Sequence, residues 1–336
     1  MSRKAVLEVR AAGIYCPAGG FYIDPWRPVD RAVVTHGHSD HARFGSKSYL
    51  ATPPTAAVMK VRLGAECPVQ PLDFGEQVTM GDAKVSLHPA GHILGSAQVR
   101  VEVAGEVWVV SGDYKTSPDR SVESYEPVRC HGFVTETTFG LPVYRWQPED
   151  QVISELKQWW KSCAEKGQTA MVFAYALGKA QRLLGALADV GEPIYVHGSI
   201  PKLNQIYEEF GVNLGDWRTV AEEPKGKDYA GSLVIAPQSA AGTPWVRRFG
   251  DVRTAFASGW MAIRGHRRRR SVDRGFVLSD HVDWNSLQEA VAATGCETVW
   301  TTHGFAEQTA RAFADQGLKA KAISGAFTSA EDEDDS

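Results

Sequence analysis

Short runs of β-branched and aromatic residues, separated by turns bearing glycine or proline, fill the first part of the chain. Those at 5–10, 20–24, 31–35 and 84–88 each predict a strand, and 98–103 with 107–110 around Ala104-Gly105 predicts a hairpin. Beyond residue 146 the period changes. Pro148-Glu149-Asp150 has the proline and acids of a first helical turn, Val152, Leu156, Trp159 and Cys163 recur at helical spacing, and Gly167 can end the helix. A strand at 169–175, a helix at 179–189, a strand at 193–196, a helix near 201–210 and strands at 232–236 and 253–257 follow. Such alternation is the grammar of crossover connections and predicts a small, mostly parallel sheet. From about Phe276 the earlier pattern returns and ends near Ser324. The chain therefore reads as α/β, with one unit (1–146 and 268–326) split by an inserted one (147–267). Residues 327–336 read as a disordered acidic tail.

Composition changes this picture in one respect. With 336 residues, 43% hydrophobic and 23% charged, the chain can bury one large core or two smaller ones. Its net charge of −4 hides an asymmetry. Acids crowd the tail from Glu331 to Asp335, while Arg264, Arg267, Arg268, Arg269, Arg270 and Arg274 form a basic strip. Clustered arginines are an electrostatic footprint for phosphate backbones. The strip lies just before His281, and His266 within it is better suited to a phosphate than to a metal. Five scattered cysteines suggest reduced thiols rather than a disulfide framework. No leading apolar stretch has the length of a signal peptide or a membrane span, so a cytoplasmic protein without a membrane partner is expected.

Candidate chemistry begins where 31–35 ends. His36-Gly37-His38-Ser39-Asp40-His41 puts three imidazoles and a carboxylate within six residues, donors that suit Zn²⁺ or Mn²⁺. In an extended segment His36 and His38 project to one side, whereas Asp40 and His41, at an expected strand-to-helix turn, can swing to the other. One segment could thus feed two metals. Further donors follow other strand-like runs: His92 after 84–88, Asp113 after 107–112 and His303 after 298–302. An exposed histidine turn can be an accident of composition, but four strand-end coincidences together point to a hydrolase with a water activated by two cations. His88, His131 and His197 read as structural or solvent-facing. In the turn Tyr175-Ala176-Leu177-Gly178-Lys179, backbone N–H groups and Lys179 could hold a phosphate.

These residues resemble the metallo-β-lactamase superfamily and, within it, the β-CASP nucleases, from about the first strand to His303. Glu136 in Val134-Thr135-Glu136-Thr137, His281 in Ser279-Asp280-His281 and His303 in Thr302-His303-Gly304 match that group's later motifs. The likeness is greatest to compact bacterial members described as ligase-associated DNA exonucleases, and extends to RNA 3′-end processing factors. It implies an αββα metallo-β-lactamase sandwich with an inserted β-CASP α/β domain of mostly parallel sheet, capping the metal face. It also implies one metal on His36, His38, His92 and Asp113, and a second on Asp40, His41, His303 and a shared oxygen of Asp113. A water between the two cations becomes the nucleophile, with Asp40 counted among the catalytic groups. His281 contacts the scissile phosphate and protonates the leaving oxygen, Glu136 fixes the His281 tautomer, and Asp24 supports a ligand histidine. Ser258 resembles family segments near the substrate phosphate, which joins it to Lys179 and the arginines as a candidate nucleic-acid contact.

The implied function is a DNA exonuclease of repair, with two divalent ions (Zn²⁺ first, Mn²⁺ second), a nucleic-acid substrate with DNA favoured over RNA, and functional association with a DNA ligase and helicase. The same chemistry on RNA is the nearest alternative, since both substrates present the same phosphates. A small-molecule metallo-hydrolase would leave Glu136, His281 and the arginines without a use. A non-catalytic nucleic-acid binding subunit would not need the full donor set.

Overall fold

Two sheets face each other across a dry core in the computed structural model, which describes residues 5–269 and 272–323. The first runs in the order Glu8–Arg10, Gly13–Cys16, Phe21–Ile23, Ala32–Val33, Tyr49–Ala51 and Val69–Pro71. The second runs Lys319–Ala322, Thr298–Thr302, Gly132–Glu136, Glu106–Val110, Ala97–Val103, Ala83–Pro89 and Gln77–Met80. Alternation within a strand sorts the layers. Trp108 and Val110 join Ile14, Phe21, Ile23, Leu87 and Val99 between the sheets. Val107 and Val109 turn outward onto Leu287, Ala290 and Val291 of the helix Trp284–Thr294 and Phe313 of the helix Ala306–Asp315. On the far face, Met59 of the helix Pro53–Leu63 covers Ala32, Val34, Tyr49 and Ala51. The order of layers is thus helix, sheet, sheet, helix.

Strand direction decides where the second sheet presents its chemistry. Thr298–Thr302, Gly132–Glu136 and Glu106–Val110 are mutually parallel. Ala97–Val103 is antiparallel to both Glu106–Val110 and Ala83–Pro89, so Ala83–Pro89 runs in that same direction. The carboxyl ends of these four strands therefore share one edge, and His303, Glu136, Asp113 and His92 stand there.

The inserted sheet is ordered Trp217–Thr219, Ile194–Val196, Leu233–Ala236, Thr169–Phe173, Val252–Ala257 and Arg274–Phe276, and every pairing is parallel. Its first strand in sequence lies between Leu233–Ala236 and Val252–Ala257, so later strands are added on both sides of it. That reversal opens a crevice beyond the strands' carboxyl ends, where open α/β sheets bind ligands. Tyr175, Leu177, Ser258 and Gly259 occupy those ends and line one cleft together with His38, His92 and Asp113. Val58, Ile93 and Leu94 belong to the same buried cluster as Leu183 and Leu184 of the helix Lys179–Ala186, which fastens the two parts together.

Two expectations need correction. Arg274–Phe276 still pairs with the inserted sheet, so the chain returns later than residue 268; three residues with a central glycine carry too little pattern to be recognised. No helix follows Asp40 and His41, which lie in a turn. The next helix is Pro53–Leu63, with Thr52 as its cap and prolines in its first turn. Arg270 and the tail 327–336 lie outside the described residues. All five cysteines are free, and among the described residues no helix is long and apolar enough to cross a membrane.

Leu87 is fully buried between the sheets. Leu87→Ala is expected to cost about 2–5 kcal/mol in urea unfolding, whereas Val143→Ala at an exposed turn should stay within about 0.5 kcal/mol.

Candidate metal centre

The turn after Ala32–Val33 sends its donors to two neighbouring groups. His36, His38, His92 and Asp113 form one; Asp40, His41 and His303 form the other. Within the first, His38 Nδ1 lies 3.2 Å from His36 Nε2 and 3.1 Å from His92 Nε2. Asp113 Oδ2 is 3.4 Å from His36 Nε2 and 3.7 Å from His92 Nε2. Donors about 2.05 Å from a tetrahedral ion stand about 3.3 Å apart, which is the spacing found. In the second group, Asp40 Oδ2 is 3.3 Å from His41 Nε2 and 3.9 Å from His303 Nε2. Asp113 Oδ2 is also 3.4 Å from His41 Nε2, so one oxygen stands between both groups.

Outer hydrogen bonds fix which ring nitrogen faces inward. The Nδ1 of His92 donates to the carbonyl of Asp280 at 2.8 Å, and that of His41 to Asp24 Oδ2 at 2.7 Å. The Thr35 hydroxyl gives its one hydrogen to Asp24 Oδ2, so it must accept from His36 Nδ1 at 3.0 Å. By the same logic Thr302 donates to the Thr135 carbonyl and accepts from His303 Nδ1 at 2.9 Å. His38 is reversed: its Nε2 donates to the Leu177 carbonyl at 3.3 Å and its Nδ1 faces the group. Each imidazole thus turns its other ring nitrogen toward the centre.

The electrostatics ask for cations. Burial, with the neighbouring His36, pushes His38 down to about 3. Burial, with His281 and His36, holds His92 well below its ordinary value, and burial with His41 lowers His36. These rings are neutral ligands at pH 7. Burial opposes ionisation of Asp113 and Asp40, yet His41 and its neighbours hold both carboxyls below the usual range. Burial also opposes a charge on His41, but Asp40, Asp113 and Asp24 keep it well above its ordinary value. A bound cation would displace that proton. Asp40 Oδ2, His41 Nε2 and Asp113 Oδ1 are buried and hydrogen-bond to no described group. Orphaned atoms of this kind in a native interior call for a partner, and metal ions fit the donor set.

The backbone is bent to bring these side chains in. Asp24 and His303 have positive φ, at 44° and 57°, conformations costly for residues with a Cβ. Gly304 follows at φ 48°, where a Cβ would lie 2.5 Å from the Thr138 backbone, so the His-Gly pair is a steric requirement of the turn. At Gly112, beside Asp113, a Cβ would come within 2.6 Å of Thr35.

His281 borders the first group, its ring 4.7 Å from that of His92. Its Nδ1 donates to Glu136 Oε1 at 2.8 Å. Glu136 is buried and also accepts from the backbone N–H groups of Tyr114 and Thr138, so it is held rigidly. Trp146 donates to the His281 carbonyl at 2.9 Å, and Phe139, Trp146 and Trp260 form an apolar wall beside the ring.

The candidate nucleic-acid contacts are less uniform. Ser258 lines the cleft but is buried, and its hydroxyl caps Trp260 N at 3.3 Å. Lys179 also lines the cleft, yet its ammonium pairs with Asp280 at 2.6 Å and is buried. Arg264 and Arg268 are exposed on the helix Arg264–Arg269; the side chains of Arg267, Arg269 and His266 lie outside the described part of the structure, as does Arg270. His88 bonds Ser86, His131 accepts from Val107 N, and His197 bonds Ser199, all away from the centre. Thr35, Leu177, Thr302 and Asp280 were not singled out by sequence; only the adjacency of Asp280 to His281 could have drawn attention to one of them.

No family model matches the chain. The chain is 36% identical over 315 residues, 93% of its length, to a protein named probable DNA ligase from Opitutus terrae, and spans 30% of that protein. Identity to the endoribonuclease YSH1 of Gibberella zeae is 28% over 237 residues, covering 56% of this chain and 28% of that one. Identity to the transcription termination factor FttA of a Lokiarchaeum species is 26% over 223 residues, with coverage of 54% and 35%. The chain thus spans about a third of the length of these named relatives. A solved protein of unknown function from Enterococcus faecalis matches with a TM-score of 0.57 over 81% of this chain and 74% of that one, at 10% identity, a likeness of fold alone.

Calorimetric titration of metal-stripped protein with Zn²⁺ is expected to give two equivalents. His92→Ala should remove or weaken one of them and His303→Ala the other; loss of neither would separate these histidines from the metals.

Proposed function

We propose that the protein is a metal-dependent nuclease of the metallo-β-lactamase, β-CASP type, and that it degrades DNA exonucleolytically in repair. The observation that carries this reading is the convergence of His36, His38, His92, Asp113, Asp40, His41 and His303 beside the hydrogen-bonded pair His281 and Glu136. A small-molecule metallo-hydrolase would leave Glu136, the inserted sheet and the arginines without a use. The leaving oxygen of a phosphodiester needs a proton, and His281, held by Glu136 beside the first group, would supply it.

Two divalent ions held there, Zn²⁺ first and Mn²⁺ second, would polarise a phosphoryl oxygen and acidify a water. The protein's own residues do the rest. Asp113, with one oxygen near histidines of both groups, would serve both sets of donors and offset the repulsion between bound cations. Asp24 takes the Nδ1 proton of His41 and so leaves Nε2 as the donor. Glu136 does the same for His281, which places the exchangeable proton on Nε2 and raises the ring's basicity. Phe139, backed by Trp146 and Trp260, lies beside that ring and would shield one side of it from water. The exposed Arg264 and Arg268 would offer positive charge to a phosphate backbone.

The relative named as a DNA ligase supports the choice of DNA, because its aligned portion is a minor part of a protein with a second, DNA-joining function in its name. It also supports functional association with a ligase, and a helicase is part of the proposal as a further repair partner. A second reading, cleavage of RNA, is supported by the relative named as an endoribonuclease. Matched end-labelled DNA and RNA strands, incubated with each metal, discriminate the two. Faster shortening of DNA from one end is expected, whereas preferential or internal cleavage of RNA would transfer the proposal to the second reading.

Chelation and Asp113→Ala should each abolish cleavage, and His281→Ala should lower kcat by at least about 10²-fold, the scale of general acid catalysis. Cleavage that persists in Asp113→Ala would remove the shared carboxylate from the mechanism. Changing both Arg264 and Arg268 to Ala is expected to weaken DNA binding and reduce the salt slope by about two, with metal content unaltered. An unchanged slope would place the basic strip outside the substrate path.

A further inference from the structure

The helix Lys179–Ala186 of the inserted sheet reaches into the other part of the molecule through its first turn. Lys179 Nζ donates to Asp280 Oδ2 at 2.6 Å, and Arg182 Nη1 to Asp280 Oδ1 at 2.7 Å. Arg182 Nη1 also donates to the carbonyl of Ser279. The far side of that guanidinium holds Glu149 Oε2, at 2.8 Å from Nε, while Lys115 pairs with Asp119 close by. Three cations (Lys115, Lys179, Arg182) thus meet three anions (Asp119, Glu149, Asp280) in a largely buried, charge-balanced set. Arg182 reaches all three anions, and Asp280 takes both Lys179 and Arg182.

The main chain of Asp280 has a second role. Its carbonyl accepts the Nδ1 proton of His92 at 2.8 Å, and the next residue is His281, held by Glu136. A carbonyl orients a ring only as well as its own position is fixed. Here both carboxylate oxygens of the residue are gripped from the inserted sheet, and the preceding carbonyl is gripped as well. The turn before the helix meets the same group from another side, since the Leu177 carbonyl accepts from His38 Nε2. At Gly178, φ 90°, a Cβ would lie 2.3 Å from Ile93, so the turn can approach this closely only with glycine.

We propose that Lys179 and Arg182 are positioning residues for the first ligand group: by gripping Asp280 they fix the carbonyl that orients His92. This rests on the reading of that group as a metal site. The inserted sheet is then part of the metal centre's scaffold in addition to covering it, and Lys179 acts on a carboxylate of its own chain rather than on a substrate phosphate. Burial opposes ionisation of Asp280, yet Lys179 and Arg182 hold its carboxyl below the usual carboxylate range.

Metal-stripped full-length protein titrated with Co²⁺ tests this, with visible absorption reporting the geometry of each site. Lys179→Met and Arg182→Gln are expected to weaken one of two Co²⁺ equivalents by tenfold to a hundredfold, the usual effect of removing an outer partner of a ligand, and to alter its spectrum. The other equivalent should be unchanged, and Lys179→Arg should restore the first. Where a single change unfolds the protein, the double variant Lys179→Met with Asp280→Asn keeps the charges balanced while releasing the grip, and should show the same selective weakening. Two unaltered Co²⁺ equivalents together with a raised KM for DNA would overturn the inference in favour of a phosphate contact at Lys179. Failure of the unsubstituted protein to bind Co²⁺ would overturn both the inference and the metal-centre reading; normal binding with unaffected variants overturns the inference alone.

Discussion

Three imidazole lone pairs directed at one point cannot be left to themselves in a protein interior. His36 Nε2, His38 Nδ1 and His92 Nε2 approach within 3.1 and 3.2 Å, each with its proton committed elsewhere. Asp113 and Asp40 add negative charge that burial makes costly. Water solvates such a cluster poorly, and a divalent ion solvates it well. Much of the nearby structure follows from that requirement: the positive φ of Asp24 and His303, the absence of room for a side chain at Gly304 and Gly112, and the chain of carbonyls and hydroxyls behind each ring.

The two parts of the molecule meet that requirement differently. The paired sheets supply the donors, because four strands running in one direction end at one edge. The inserted parallel sheet supplies the outer contacts of His38 and, through Asp280, of His92. Its strand ends also complete the cleft with Tyr175, Ser258 and Gly259. A crevice between two sheets' carboxyl edges is where such architectures bind ligands, and here each edge depends on the other for its geometry.

How much of this was legible in the sequence depended on range. The cluster from His36 to His41 announces itself because its donors are consecutive, and His92, Asp113 and His303 could be found because each follows a run of β-branched residues. The helix Glu149–Ala164 and the strand Thr169–Phe173 were legible for the same reason, since 3.6-residue and apolar-run patterns persist over many residues. Gly13–Cys16, Trp217–Thr219 and Arg274–Phe276, short strands without a flanking apolar run, carry too little pattern and are defined by their partners in the sheet. Lys179 shows the same limit in a site residue. A lysine after a glycine turn suggests a phosphate, and only the fold brings Asp280, a hundred residues away, into contact with it.

Anomalous diffraction from crystals saturated with Zn²⁺ tests the central claim most directly. The account predicts two peaks about 3.5–4 Å apart, one within the His36, His38 and His92 group and one within the Asp40, His41 and His303 group, with Asp113 Oδ2 between them. No peak in either group, or density placed away from Asp113, would contradict it.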